Sequence, residues 1–278
     1  MSVASLSLPK ATLISLSLTC ILYGFSLFMF FVTLWVLLHG RSATEISRLM
    51  LTFTCVFFTF STVHVAVLIR HTIEGFLDQA LPAEWFKDKS SPTFITILVL
   101  YACQCFTGDA VLIYRCYVVW ERRAVIILMP VAFFCGYVGT MFTGIWAYAV
   151  YQRRLAPIMV VTAACCSIIV NITCSSLLGF RLWKLNTHIL PQQLRHSALP
   201  VLHLVVDAAL LYTLTLGVTL ICLLVNTNAM AIMIELTVPL IAIIFYGVII
   251  RVGITRASPS TFESTTDGNG SEAHERLD

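Results

Sequence analysis

The chain has 278 residues, of which 59% are hydrophobic and 11% are charged, and its mean hydropathy is +0.91. Soluble domains carry about 25% charged residues, so this composition excludes a chain that folds around one aqueous core. The formal net charge of +3 is small and its basic residues are dispersed, which excludes a basic surface for nucleic acid.

Seven apolar stretches are each long enough to cross a bilayer as a helix, which takes about 20 residues. None alternates as a barrel strand would, and backbone groups in lipid must be bonded within their own segment. The predicted fold class is therefore all-α, a seven-helix transmembrane bundle. The predicted helices are 11–38, 50–69, 93–120, 124–151, 157–180, 199–225 and 228–250.

The regions outside the bundle are short. We expect an outer N-terminus over 1–10, the membrane domain over 11–250 and a disordered cytosolic tail over 251–278, because the end of the chain is rich in Ser, Thr, Gly and acids. The connection 70–92 mixes aromatic and charged residues. It is predicted to be either a short helix in the membrane interface or a polar loop with aromatic anchors.

Orientation follows from the Lys and Arg residues in the connections. One side carries nine and the other carries six, which predicts the N-terminus outside and the C-terminus in the cytosol. The plasma membrane is favoured because the sequence shows no obvious retention signal at its end. The nine are Arg41, Arg48, Arg122, Arg123, Arg181, Lys184, Arg195, Arg251 and Arg256; the six are Lys10, Arg70, Lys87, Lys89, Arg153 and Arg154.

Ionisable residues inside membrane helices are costly and are candidates for functional sites. Asp109 on the third helix and Asp207 on the sixth are predicted at similar depth, with His203 one turn from Asp207 and Arg115 within reach. These four form a predicted inner polar cluster. Two interpretations stay open for it, a structural clamp and a switch, proton or substrate site.

A second set lies toward the opposite surface. His64 on the second helix and Glu235 on the seventh are predicted at matching depth, and Gln104 on the third helix joins them. They are expected either to line an outward cavity for a ligand or cation, or to form one interhelical hydrogen bond.

The sequence lacks the residues that several kinds of chemistry require. The four lysines lie at or outside the helix ends, so a retinal Schiff base has no attachment site. The sequence has no phosphate loop, no zinc-protease motif and no hydrolase elbow. No cofactor, metal or catalytic residue is therefore expected, and an enzyme is the less favoured class.

The run from Gly108 to Trp120 reads Gly-Asp, four apolar residues, then Tyr-Arg-x-Tyr-x-x-Trp. It resembles the hallmark of a large family of seven-helix membrane proteins of mushroom-forming fungi. The resemblance implies topology and a fungal source but little chemistry. There is also a weaker likeness to G-protein-coupled receptors, from which the chain departs because no acid directly precedes Arg115 and the last helix lacks Asn-Pro-x-x-Tyr.

Three functions follow. The first is a receptor-like or sensor protein, whose expected partners are the lipid bilayer, a small ligand and a cytosolic protein. The second is a small proton- or ion-coupled transporter or channel, although no internal repeat supports it. The third is a membrane-embedded enzyme such as a terpene cyclase, with Asp109 or Asp207 as the acid.

Overall fold

The computed structural model describes residues 7–39, 48–150, 152, 154–188, 192–225 and 229–257. This part of the chain is all-helical and contains no strand. Seven of its eight helices are long and apolar enough to cross a membrane, which confirms the predicted fold class and gives the chain the architecture of a multi-pass membrane protein. The helices are α1 Leu8–Leu38, α2 Arg48–Leu77, α3 Pro82–Trp85, α4 Pro92–Val119, α5 Ala124–Ala149, α6 Leu155–His188, α7 Gln192–Leu224 and α8 Ala229–Ala257.

The helices extend beyond the predicted apolar stretches. α2 continues to Leu77, past the predicted end at Ile69, and Arg70 Nε bonds Glu74 Oε1 over 2.7 Å one turn later. Such a pair at i and i+4 supports a helix that has left the apolar region. α8 likewise runs to Ala257, into the predicted tail, and residues 258–278 lie outside the described residues.

The connection from α2 to α4 contains the one-turn helix α3, so the short helix is the arrangement present. It packs tightly on α2 at Gly75. A Cβ atom at Gly75 would lie 2.4 Å from Phe86 Cζ and 2.7 Å from Trp85 Cδ1. The aromatic residues of the connection therefore rest on a position that only glycine leaves free.

The bundle is centred on α4 and α8. In each of them 56% of the most apolar stretch is buried, against 17–33% in the other five spanning helices. Phe57 of α2 stacks on Phe245 of α8 with ring centres 4.9 Å apart, and Phe30 of α1 stacks on Phe58 at 4.1 Å. The central helices are also those that carry Gln104, Asp109 and Glu235, so the packing positions the candidate sites.

The two ends of the bundle differ in what covers them. We call the end where α1 begins the N-face and the end where α1 stops the C-face. Antiparallel packing places α3 and the segment before α4 on the N-face, and the turn from α4 to α5 on the C-face. Ser91 begins α4 at the N-face, where its hydroxyl accepts a hydrogen bond from Phe94 N over 3.3 Å.

Candidate functional site

Asp109 lies in a fully buried polar cluster between α4 and α6. Its side chain is 0% exposed, and both carboxylate oxygens accept hydrogen bonds. Ser167 Oγ donates to Oδ2 over 2.8 Å and Asn171 Nδ2 donates to Oδ1 over 2.8 Å. Ser167 and Asn171 are one turn apart on the same face of α6. These three residues, which we call the Asp109 cluster, join α4 to α6.

The predicted inner cluster is corrected by this arrangement. Asp207 is exposed on α7 and does not bond Asp109, and the side chain of His203 lies outside the described residues. Arg115 is partly buried, with its guanidinium carbon 5.7 Å from the centre of the Phe245 ring. Equal depth in the membrane did not predict the contacts of Asp109, because depth does not fix which side of a helix faces the centre of the bundle.

A cavity of about 270 Å³ lies at the N-face among α1, α2, α4 and α8. Glu235 is its innermost lining residue on α8. The side chain of Glu235 is 7% exposed, and its carboxylate accepts a hydrogen bond from the Ser15 hydroxyl of α1. We call this space the Glu235 cavity. It is lined by Leu8, Thr12, His71, Phe86, Lys87, Lys89, Phe94, Ile97, Leu98, Met230, Ala231, Ile234 and Glu235.

His64 and Gln104, the predicted companions of Glu235, do not line this cavity. Both side chains are 0% exposed. Gln104 Nε2 donates to the Val238 carbonyl over 3.2 Å, which ties α4 to α8. Gln104 Oε1 and both ring nitrogens of His64 have no hydrogen-bond partner among the described residues. The predicted outer site is thus divided into a cavity residue, Glu235, and two buried polar residues.

His71 is a lining residue that the sequence analysis missed. Its Nδ1 lies 2.8 Å from Thr93 Oγ1, and its ring contacts Phe86 with centres 5.6 Å apart. The predicted second helix ends before His71, so the prediction placed this residue in the connection that follows. The spacing of Arg70 and Glu74, one turn apart around His71, was the available signal that the helix continues.

Two lysines stand at the rim of the Glu235 cavity. Lys87 is exposed, whereas Lys89 is partly buried with its Nζ 5.8 Å from the centre of the Tyr148 ring. Burial lowers the pKa of Lys89 from its ordinary value. The rim therefore carries positive charge above a buried carboxylate.

The same two lysines also border a larger space of about 830 Å³. This space lies at the N-face between the segment before α4 and the ends of α5, α6, α7 and α8. Glu84, Asp88 and Tyr148 contribute polar groups to it. The N-face thus has a wide outer space and a narrower cavity that ends at Glu235, with Lys89 between them.

Comparisons with known proteins identify neither a family nor a fold relative for this chain. No protein-family model matches the chain. No curated protein and no solved structure matches it either. Among the described residues, no three His, Cys, Asp or Glu side chains come together as they would around a metal ion. The candidate functional sites are the Glu235 cavity and the Asp109 cluster.

Proposed function

We propose that this chain is a receptor-like membrane protein that binds a small ligand in the Glu235 cavity. One observation carries the proposal: a buried carboxylate lies at the inner end of a cavity whose walls are mainly apolar and aromatic. Ligand sites are typically apolar clefts with a few convergent polar groups. At about 270 Å³, the space is just below the usual range of about 300–1,000 Å³ and suits a small molecule.

The chemistry of the cavity favours a ligand with a protonated amine. A carboxylate held away from water gains most from a charged hydrogen-bond donor. Among the described residues, the one hydrogen-bond partner of the Glu235 side chain is the neutral Ser15 hydroxyl. Phe86 and Phe94 offer aromatic surface along the wall, and aromatic rings attract cations as well as apolar groups.

α8 provides a route from the cavity to the C-face. The helix that carries Glu235 continues to Phe245, which stacks on Phe57 and lies against Arg115. A ligand that binds one arrangement of α8 more tightly than another would shift the population of that arrangement. The proposed readout is therefore a change around Arg115. This is the side of the bundle that is predicted to face the cytosol from the plasma membrane and to meet a cytosolic partner.

The experiment is a thermal-shift titration of the purified full chain in detergent with a panel of primary and quaternary amines. We expect at least one amine to raise the melting temperature of the parent, because a ligand that binds only the folded state stabilises it. The shift should disappear in Glu235→Gln. Asp78→Asn, which removes an exposed acid after α2, is the matched control and should keep it.

Two results would contradict the proposal. One is that no amine in the panel stabilises the parent. The other is that Glu235→Gln responds to the same amine at the same concentration as the parent, which would place binding elsewhere.

A further inference from the structure

The Asp109 cluster places a carboxylate at the centre of the bundle without a basic partner. Asp109 is 0% exposed. Within the described residues, the ion pairs are Arg70 with Glu74 and Arg181 with Glu121, and neither involves it. An ionised carboxylate in such surroundings is costly unless a cation compensates its charge.

The hydrogen bonds around Asp109 are compatible with an ionised group. An ionised carboxylate only accepts hydrogen bonds, and here both oxygens accept, one from Ser167 Oγ and the other from Asn171 Nδ2. Asn171 Nδ2 offers no acceptor for a carboxyl proton, whereas Ser167 Oγ is a hydroxyl that can donate to the carboxyl group or accept from it. An ionised Asp109 would satisfy these contacts, and it would have no positive counterpart among the described side chains.

Two buried oxygens beside the cluster lack partners. Asn171 Oδ1 and Tyr212 Oη make no hydrogen bond among the described residues, although Asn171 is 0% and Tyr212 is 2% exposed. Tyr212 Oη lies 3.7 Å from the Cβ position of Gly108, the neighbour of Asp109 in the chain. Buried polar atoms without a partner are rare and call for an unseen one.

A small hollow of about 30 Å³ adjoins the cluster at Ser167. A water molecule needs about 10–15 Å³ of such space, so the hollow has room for about two. It shares Leu223 with the outer space at the N-face, and it shares Leu98 and Ile234 with the Glu235 cavity. Water therefore has room beside Ser167, in a hollow that is lined mostly by apolar residues and that borders both N-face spaces.

We propose that Asp109, Ser167, Asn171 and Tyr212 form a binding site for one sodium ion. The atoms proposed to bind the ion are all oxygens, which hard cations prefer. One carboxylate matches a single positive charge, whereas calcium sites use several carboxylates. Water in the hollow at Ser167 completes the oxygen shell. This site is separate from the Glu235 cavity, and the proposal does not depend on the proposed ligand.

The test is the melting temperature of the purified full chain in detergent as sodium chloride replaces N-methylglucamine chloride at constant ionic strength. We expect a rise that saturates with sodium concentration and reaches about 2–4 °C or more, because a bound ion stabilises the folded state by mass action. Potassium chloride should give a smaller rise at equal concentration.

Three variants locate the site. Asp109→Asn should abolish the rise, and Asp207→Asn, which removes the exposed acid of α7, should keep it. Ser167→Ala retains the carboxylate and removes one oxygen, so it should raise the half-saturating sodium concentration by about tenfold or more. This third variant decides the matter if Asp109→Asn fails to fold.

The proposal is overturned if the parent shows no rise specific to sodium. It is overturned equally if Asp109→Asn, or Ser167→Ala when the first variant does not fold, responds to sodium as the parent does. Stabilisation by acid alone, with no effect of sodium at any pH, would make the cluster a proton site and would also overturn it.

Discussion

Two histidines of α2 are buried but differ in whether their ring nitrogens are paired. His64 is 0% exposed with both nitrogens unpartnered among the described residues, whereas His71 is 5% exposed and bonds Thr93. A buried polar group without a partner costs about 1–3 kcal/mol. We therefore expect His64→Leu to leave the melting temperature unchanged or raise it, as measured by thermal unfolding in detergent.

His71→Leu is the matched change on the same helix. It removes a hydrogen bond worth about 0.5–1.5 kcal/mol and should lower the melting temperature. A larger loss in His64→Leu than in His71→Leu would show that His64 has a partner of its own, and would restore it to the outer site that the sequence predicts.

The sequence reveals the charged residues that are costly to bury in a membrane helix, but not the neutral residues that contact them. It identified Asp109 and Glu235 because a charged side chain in an apolar helix is conspicuous. Ser167 and Asn171 are neutral and common in membrane helices, so nothing in the composition marks them. Their spacing at i and i+4 places both on one face of α6, and only the rotation of that helix in the bundle brings this face to Asp109.

The packing of α3 on α2 depends on one glycine. A methyl group at Gly75 would collide with Phe86 and Trp85, which pack on α2 at the N-face. We expect Gly75→Ala to destabilise the protein by about 1–3 kcal/mol, the usual cost of overpacking. The measurement is the melting temperature in detergent.

Gly139→Ala in α5 is the control for this change, because a Cβ atom there meets nothing within 4 Å. Alanine is the better helix former by about 1 kcal/mol, so this variant should be neutral or stabilised. Equal losses in the two variants would mean that α3 does not rest on Gly75.

The turn from α4 to α5 at the C-face has an unfavourable backbone. Glu121 and Arg122 have φ values of 55° and 61°, a left-handed conformation that costs a side-chain-bearing residue about 1–2 kcal/mol. Glu121 is held by Arg181, whose guanidinium carbon also lies 5.5 Å from the centre of the Trp120 ring. Arg122 is exposed, so the turn constrains it without a compensating burial.

We expect Arg122→Gly to raise the melting temperature, because glycine adopts this conformation without strain. Arg123→Gly is the matched change, at a residue with an ordinary φ of −75°. It gains no relief from strain and should be neutral or destabilised. The expectation fails if Arg122→Gly melts no higher than Arg123→Gly.

Helix number was predictable from the sequence and helix length was not. Each spanning helix has an apolar stretch long enough to cross the bilayer, so the count follows from composition. The ends follow from contacts beyond that stretch, such as the Arg70 and Glu74 pair that carries α2 to Leu77. This extension brings His71 into the Glu235 cavity, which is why the sequence missed part of the site.

The whole molecule places two polar sites along one bundle. The Glu235 cavity lies near the N-face between α1 and α8, and the Asp109 cluster lies deeper between α4 and α6. α4 and α8 are the most buried of the spanning helices, and Gln104 joins them through the Val238 carbonyl. The two sites are thus linked by direct contact between the two central helices.

The proposed function and the predicted orientation together require that the Glu235 cavity be reached from outside the cell. Ala231 lines that cavity, whereas Ala209 is 4% exposed and lines a small hollow beside Arg115. Ala231→Cys and Ala209→Cys therefore report on different ends of the bundle. A cationic methanethiosulfonate reagent that does not cross membranes is added to intact cells, and modification is compared with that of the parent, which carries its ten native cysteines.

The account predicts that Ala231→Cys is modified well above the parent and that Ala209→Cys is not. Modification of Ala231→Cys only after the cells are permeabilised would reverse the proposed orientation. No modification above the parent under either condition would contradict an open Glu235 cavity, and with it the proposed binding function.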